Sequence, residues 1–278
     1  MRLDVNGTLA LVGAGNMGGA LLAGWLERGL SPSRIVIQDP APPPAMQDLL
    51  QKHGIRPVSD LTQIAAPPAV LVLAVKPQIM DAVAAPLGRV AGRETVVLSV
   101  AAGRTIAGFE RMFPSGTAIV RSIPNTPASV GRGITVAVAN RHTSPAQKQI
   151  CDSLLSAVGE VAWTEDEAEI DAVTAVSGSG PAYVFYLAEC LAAAGIKAGL
   201  KPALAQQLAR CTVAGAGELL HRSDLPAETL RRNVTSPNGT TFAALQVLMD
   251  AAGTGKGLEP LLTEAVLAAT RRSRELAQ

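Results

Sequence analysis

The residues best suited to chemistry stand near the start of the 278-residue chain. Leu9-Ala10-Leu11-Val12 runs into Gly13-Ala14-Gly15-Asn16-Met17-Gly18, and a stretch of helical composition follows. Glycines at these three positions suit a dinucleotide. Gly13 permits a tight turn, Gly15 lets the backbone approach a pyrophosphate, and Gly18 lets a helix lie close on its strand. The helix start adds unpaired N–H groups and a positive dipole end for the anion. Asp39 closes the next apolar run, 24 residues after Gly15, where a carboxylate can accept from the adenosine ribose 2′-hydroxyl. A 2′-phosphate would meet a like charge there, and Ala41-Pro42-Pro43-Pro44 brings no Arg or Lys to offset it. The expected cofactor is therefore NADH in preference to NADPH, with Asp39 as a solvated turn residue the alternative reading.

Three further runs end on small or polar residues: Ala74-Val75-Lys76-Pro77, Ser99-Val100-Ala101-Ala102-Gly103 and Ser122-Ile123-Pro124-Asn125-Thr126-Pro127. Ligands of open parallel sheets bind beyond the carboxyl ends of strands. Lys76 there could steer the ribose or the nicotinamide carboxamide, or be a strand-end lysine before a helix. Later in the chain, Ser177-Gly178-Ser179-Gly180-Pro181 and Thr235-Ser236-Pro237-Asn238-Gly239-Thr240-Thr241 read as turns opening onto helices. Each alone is ordinary capping, with serines at the cap and Pro181 in the first helical turn. As a pair they suggest a carboxylate held by N–H groups and hydroxyls.

Composition narrows the alternatives. With Lys+Arg 24 against Asp+Glu 23 and 3% aromatic residues, neither a broad nucleic-acid footprint nor a base-stacking platform is expected. Cys151, Cys190 and Cys211 are odd in number and lack CxxC spacing, and His53, His142 and His221 are scattered. No disulfide framework or metal site is expected, and a reducing compartment is. The apolar Ala69–Val75 run is far short of the roughly 20 residues that span a bilayer. Thr8–Leu26 carries too many glycines for a leader. A soluble, cytoplasmic protein is expected.

The elements that must position these residues fall into two regions. Up to about residue 163, strand candidates alternate with helical stretches: Leu9–Val12, Arg34–Gln38, Val70–Leu73, Thr95–Ser99, Ala118–Arg121, Gly133–Val138 and Glu160–Trp163. Several are apolar without alternation, as parallel strands covered on both faces are. This predicts an α/β domain over 1–163 with an open, doubly wound parallel sheet. Over 164–278 the pattern is Ala-rich and helical, with helices expected at 165–175, 181–197, 202–221, 227–233, 240–252 and 258–276. The segment 181–195 is apolar almost all round and must be buried on every side. A domain of this size has little to wrap it with, so a partner subunit is the favoured cover, with a central helix in a monomer as the alternative.

Six blocks together resemble the pyrroline-5-carboxylate reductase family over essentially the whole length: Val12–Met17, Ala74–Pro77, Ile123–Pro127, Asp171–Thr174, Ser177–Tyr183 and Leu230–Leu245. Asn233-Val234-Thr235-Ser236-Pro237-Asn238-Gly239-Thr240-Thr241 matches the family's signature. The resemblance implies a Rossmann-type N-terminal domain and an all-α C-terminal domain that interlocks with a partner's into a homodimer, with decamers as a further assembly. It also implies hydride transfer from NADH or NADPH to the C=N carbon of 1-pyrroline-5-carboxylate, giving L-proline. Thr241 matches the threonine near the ring nitrogen, and Thr240 with Gly239 the carboxylate-binding turn. Asn233 and Glu167 match pocket-lining positions, and Lys76 the lysine beside the cofactor.

Two departures stand out. Asn238 replaces a glycine of the signature turn, and Asn tolerates a left-handed backbone better than other non-glycine residues. Leu61 stands where relatives carry an asparagine near the ribose. The competing readings are a β-hydroxyacid dehydrogenase-like oxidoreductase and a non-catalytic dinucleotide-sensing module. The first needs a lysine early on the first long helix of the second domain, where Lys197 comes only at that helix's end.

Overall fold

The computed structural model describes residues 3–276, except the side chain of Gln63. Two compact units emerge: residues 3–178 joined by 270–276, and residues 179–269.

The first unit is built on β1 (Leu9–Val12), β2 (Ile35–Gln38), β3 (Val70–Leu73), β4 (Val96–Ser99), β5 (Ala118–Ile123), β6 (Gly133–Ala139) and β7 (Gly159–Trp163), in spatial order β2-β1-β3-β4-β5-β6-β7. β1 to β5 are mutually parallel. Alternate residues of each central strand point to opposite faces, and both faces are dry. Leu9, Leu11, Val70, Val72 and Leu98 join one core with Leu21, Leu22, Trp25, Leu154 and Leu155. Ala10, Val12, Leu71, Leu73 and Val97 join another with Met80, Leu87 and Phe109. The covering helices are α1 (Asn16–Glu27), α2 (Pro44–Lys52), α3 (Met80–Leu87), α4 (Ile106–Glu110) and α5 (Pro145–Leu155). The Trp25 indole N–H donates to the Leu154 carbonyl at 2.9 Å and ties α1 to α5.

The doubly wound sheet expected from the sequence is thus present, with one strand reversed: β6 runs antiparallel to β5, with Arg121 opposite Val138. Only residues 124–132 connect the two strands, too few for the helical crossover that a parallel pair requires. β7 then pairs parallel with β6; less and more accessible positions alternate along β7 and along Gly133–Ala137 of β6.

After β7, α6 (Ile170–Val173) passes into a π-helical turn, Thr174–Gly178. Asn125, at the end of β5, donates through Nδ2 to the Ser177 carbonyl at 3.2 Å and accepts from the Ile134 N–H. The second unit holds α7 (Gly180–Lys197), α8 (Pro202–Arg222), α9 (Ala227–Asn233), α10 (Thr240–Leu248) and the start of α11 (Leu258–Leu276). α10 stops at Leu248, short of the 252 expected. Asp250 adopts φ +53 and accepts from the Thr254 N–H, the Thr254 hydroxyl and the Gly255 N–H, closing a tight loop instead. These bonds, the Thr254 hydroxyl foremost, hold the Asp250 carboxyl below its ordinary value of 3.8.

α7 packs on α8, yet within the single chain none of its residues is buried, and Phe185 and Tyr186 are 63% and 66% exposed. No helix of the described residues is long and apolar enough to cross a membrane.

The last turn of α11 returns to the first unit. Thr270 is buried there, the Ser273 hydroxyl donates to Asp171 Oδ1 at 2.6 Å, and Arg274 lies 3.8 Å from Asp171 Oδ2.

Candidate active site

The three glycines of the loop between β1 and α1 do three different jobs. Gly13 has φ +91, and a Cβ there would lie 2.9 Å from the Ala74 carbonyl oxygen. A Cβ on Gly18 would lie 2.0 Å from the Gly13 carbonyl oxygen, so α1 can approach the loop only because that position is bare. Around Gly15 a Cβ would meet no protein atom within 4 Å; the space over it is open. Gly15 is also the cap residue of α1, and no side chain caps that end. The N–H groups of the first turn are thus left for a ligand.

A cleft of about 470 Å³ opens at this point. Gly15–Met17, Ala74–Pro77 and Ala101–Ala102 line it, together with Pro43 and Val100. Nine of the expected cofactor residues are thereby brought together at the carboxyl ends of β1, β3 and β4. Pro43 and Val100 were not singled out from the sequence. Val100 sits inside the quoted strand-end run, whereas nothing in the triple-proline stretch marks Pro43 as a wall. Lys76 is exposed at the start of the turn after β3. Gly13, Ala14 and Gly18 are buried behind the lining. Gly103, at φ +75, follows it and is not part of it.

Asp39 has commitments of its own. Its Oδ2 accepts from the Ala14 N–H at 2.7 Å and its Oδ1 from the Ala41 N–H at 2.9 Å. Leu61 is fully buried in the core, and its N–H donates to Gln38 Oε1 at 3.0 Å. Leu61 is here a packing residue.

Glu167 lies in the first unit and is engaged with protein. Its Oε1 accepts from the Arg121 guanidinium at 2.6 Å and from the Ile106 N–H, at the start of α4, at 2.8 Å. Arg121 is 3% exposed, and its Nε has no partner.

Ser177 and Gly178 belong to the π-helical turn, and the serine caps expected here do not form. The Ser177 hydroxyl donates back to the Val173 carbonyl at 3.0 Å, and Ser179 has helical dihedrals with no capping bond. The chain continues nearly helical through the stretch, which keeps both hydroxyls from folding over an α7 N-terminus. Gly180 and Pro181 are the first two residues of α7, and Lys197 is its last.

In the second unit, Ser236-Pro237-Asn238-Gly239 forms a turn closed by the Gly239 N–H on the Ser236 carbonyl at 3.1 Å. Asn238 takes φ +57, so the replacement keeps the left-handed turn. A Cβ on Gly239 would come within 2.3 Å of the Ser236 hydroxyl and 3.2 Å of its carbonyl oxygen, so a side chain there would turn the hydroxyl away from its present position. α10 opens directly after it, again without a side-chain cap, so its first N–H groups stand beside the Thr240 and Thr241 hydroxyls. Asn233 ends α9 and is exposed.

No cysteine nucleophile competes for the chemistry in the first unit: burial, helped by Asp152, pushes the Cys151 thiol up to about 12.

The chain was compared with known proteins. Residues 167–276 match the family model for pyrroline-5-carboxylate reductase dimerisation, and residues 8–103 match the model for coenzyme F420-dependent NADP oxidoreductases. Pyrroline-5-carboxylate reductase of Pseudomonas aeruginosa is 40% identical over 270 residues, 97% of either chain. That of Synechocystis is 41% identical over 270 residues, covering 96% of this chain and 97% of the relative. Among solved structures, pyrroline-5-carboxylate reductase of Coxiella burnetii superposes with a TM-score of 0.89 at 34% identity, covering 99% of this chain and all of the other. The Plasmodium falciparum pyrroline carboxylate reductase with NADP bound gives 0.80 at 28% identity, covering 98% and 99%.

Proposed function

This chain belongs to the pyrroline-5-carboxylate reductase family, and from that premise we propose how its residues divide the work. The enzyme reduces 1-pyrroline-5-carboxylate to L-proline with NAD(P)H, the last step of proline biosynthesis. The observation that carries this reading is the cleft at the ends of β1, β3 and β4, where an open glycine and an uncapped helix start meet.

The residues there fit a dinucleotide. Gly15, Asn16 and Met17 hold the pyrophosphate through backbone N–H groups, while Lys76 and the Ala74–Pro77 and Ala101–Gly103 turns border the ribose and nicotinamide. Bound there, the reduced nicotinamide supplies the hydride. Asp39 beside the ribose favours NADH over NADPH by repelling a 2′-phosphate.

On the substrate side, the Gly239–Thr240 turn holds the carboxylate with N–H groups and a hydroxyl. Asn233, Glu167 and the Ser177–Gly180 stretch are the further residues assigned to the substrate in this reading. Thr241 directs its hydroxyl at the ring nitrogen. A cyclic imine is basic enough to arrive protonated, and the iminium is the better hydride acceptor. Thr241 therefore need only orient the ring or relay a proton from water. Most of the acceleration comes from juxtaposition in a site closed to solvent.

α7 and its neighbours pair with the same helices of a second copy into a homodimer, consistent with the dimerisation model and with the bare apolar residues of α7. Decamers are a further assembly of those dimers. The cytoplasm is the proposed compartment, in keeping with the unpaired Cys151, Cys190 and Cys211.

Initial rates of NADH and NADPH consumption with pyrroline-5-carboxylate test the reaction. Thr241→Ala is expected to lower turnover about tenfold or more while leaving NADH binding nearly unchanged. Equal losses in both would remove Thr241 from its role.

A further inference from the structure

Asp39 sits where a ribose selector is expected, yet both of its oxygens already hold backbone. We infer that Asp39 is the positioning residue of the phosphate loop, and that its carboxylate holds two walls of the cofactor cleft in place before any ligand arrives. The inference deepens the dinucleotide reading of the cleft and rests on it only for its binding arm.

The geometry is specific. Gly13 turns the chain at φ +91, and its N–H donates to the Gln38 carbonyl at 2.9 Å. The next N–H, that of the buried Ala14, therefore faces the end of β2 rather than the cleft, and meets Asp39 Oδ2 at 2.7 Å. This bond sets the peptide plane from which Gly15, Asn16 and Met17 follow. The other oxygen takes the Ala41 N–H at 2.9 Å, two residues before Pro43, which also lines the cleft. One carboxylate thus spans 25 residues of sequence and joins both sides.

The two N–H donors face different oxygens of the carboxylate. An asparagine offers one oxygen and one NH₂ and can keep one of the two bonds, whereas an alanine keeps neither. The Ala14 N–H is buried, and a buried donor without a partner is costly. Substitution of Asp39 should consequently disorder the pyrophosphate site, which NADH and NADPH share, as well as removing the repulsion of a 2′-phosphate. A residue that only selected the ribose would behave otherwise. Its neutral variant would lose NADH and gain NADPH.

The test uses the full chain and begins without cofactor. In unliganded Asp39→Ala, which removes both acceptors, amide hydrogen exchange at Ala14 is expected to rise about tenfold or more, with exchange at Leu98 in the central strand unchanged. Asp39→Glu, which keeps two oxygens, should restore part of the protection. In the binding arm, the dissociation constant of Asp39→Ala for NADH should rise about tenfold, and that for NADPH should rise by less, because the lost repulsion of the 2′-phosphate offsets part of the damage. Unchanged exchange at Ala14, equal acceleration at Leu98, or NADPH bound more tightly than by the wild type would overturn the inference. A wild-type chain that binds neither dinucleotide would defeat the cofactor reading instead, and the exchange arm would still decide the role of Asp39.

Discussion

At the scale of single residues, the glycine loop separates the needs of folding from those of binding. A methyl on Gly18 has a backbone carbonyl oxygen 2.0 Å away and cannot be accommodated by a rotamer change. Gly18→Ala should cost about 3 kcal/mol or more of stability along with cofactor binding. Gly15→Ala meets no protein atom within 4 Å, so its melting temperature should stay near wild type while NADH binding weakens. Calorimetry alongside fluorescence titration checks both, and a Gly15→Ala chain that binds normally would mean the pyrophosphate lies elsewhere. These roles were legible because glycine spacing encodes backbone geometry directly. The anchoring of Ala14 by Asp39 was not, since it depends on a contact 25 positions distant. The capping expected of Ser177 and Ser179 failed for a different reason. A serine in a helical stretch can bond back to the carbonyl four residues earlier, and Ser177 does so on Val173.

Among the elements, the strands were read to within two residues, because the central ones are short, β-branched and covered on both faces. The direction of β6 has its signal in the sequence: a connection of nine residues, 124–132, too short for a helical crossover between parallel strands. The end of α10 was hidden, since Asp250 breaks the helix through bonds to a loop that helical propensity does not report. One prediction belongs here. The last turn of α11 is fastened to α6 by the Ser273 hydroxyl on the Asp171 carboxylate at 2.6 Å. Ser273→Ala should lower stability by about 1.5–3 kcal/mol, the worth of a hydrogen bond to a charged group. Amide exchange over 270–276 should accelerate with it, and exchange at the wild-type rate would show that the packing of Thr270 alone secures the turn.

For the whole molecule, composition marked out a sheet-forming region followed by a helical one, and an apolar helix with too little of its own chain to cover it. α7 leaves Phe185 and Tyr186 more than half exposed in the single chain, a large apolar area that isolated subunits rarely tolerate. Phe185→Asp should shift sedimentation toward smaller species, and an unaltered sedimentation coefficient would place the assembly face elsewhere. The two compact units have a particular wiring: the chain departs from the first after Gly178 and rejoins it at Thr270. The helical part is therefore an insert with both ends spliced into one host. A single continuous stretch of gene, encoding 179–269, could be exchanged without reordering any strand of the host sheet. Such a graft would have to retain the closing turn that stitches the host shut.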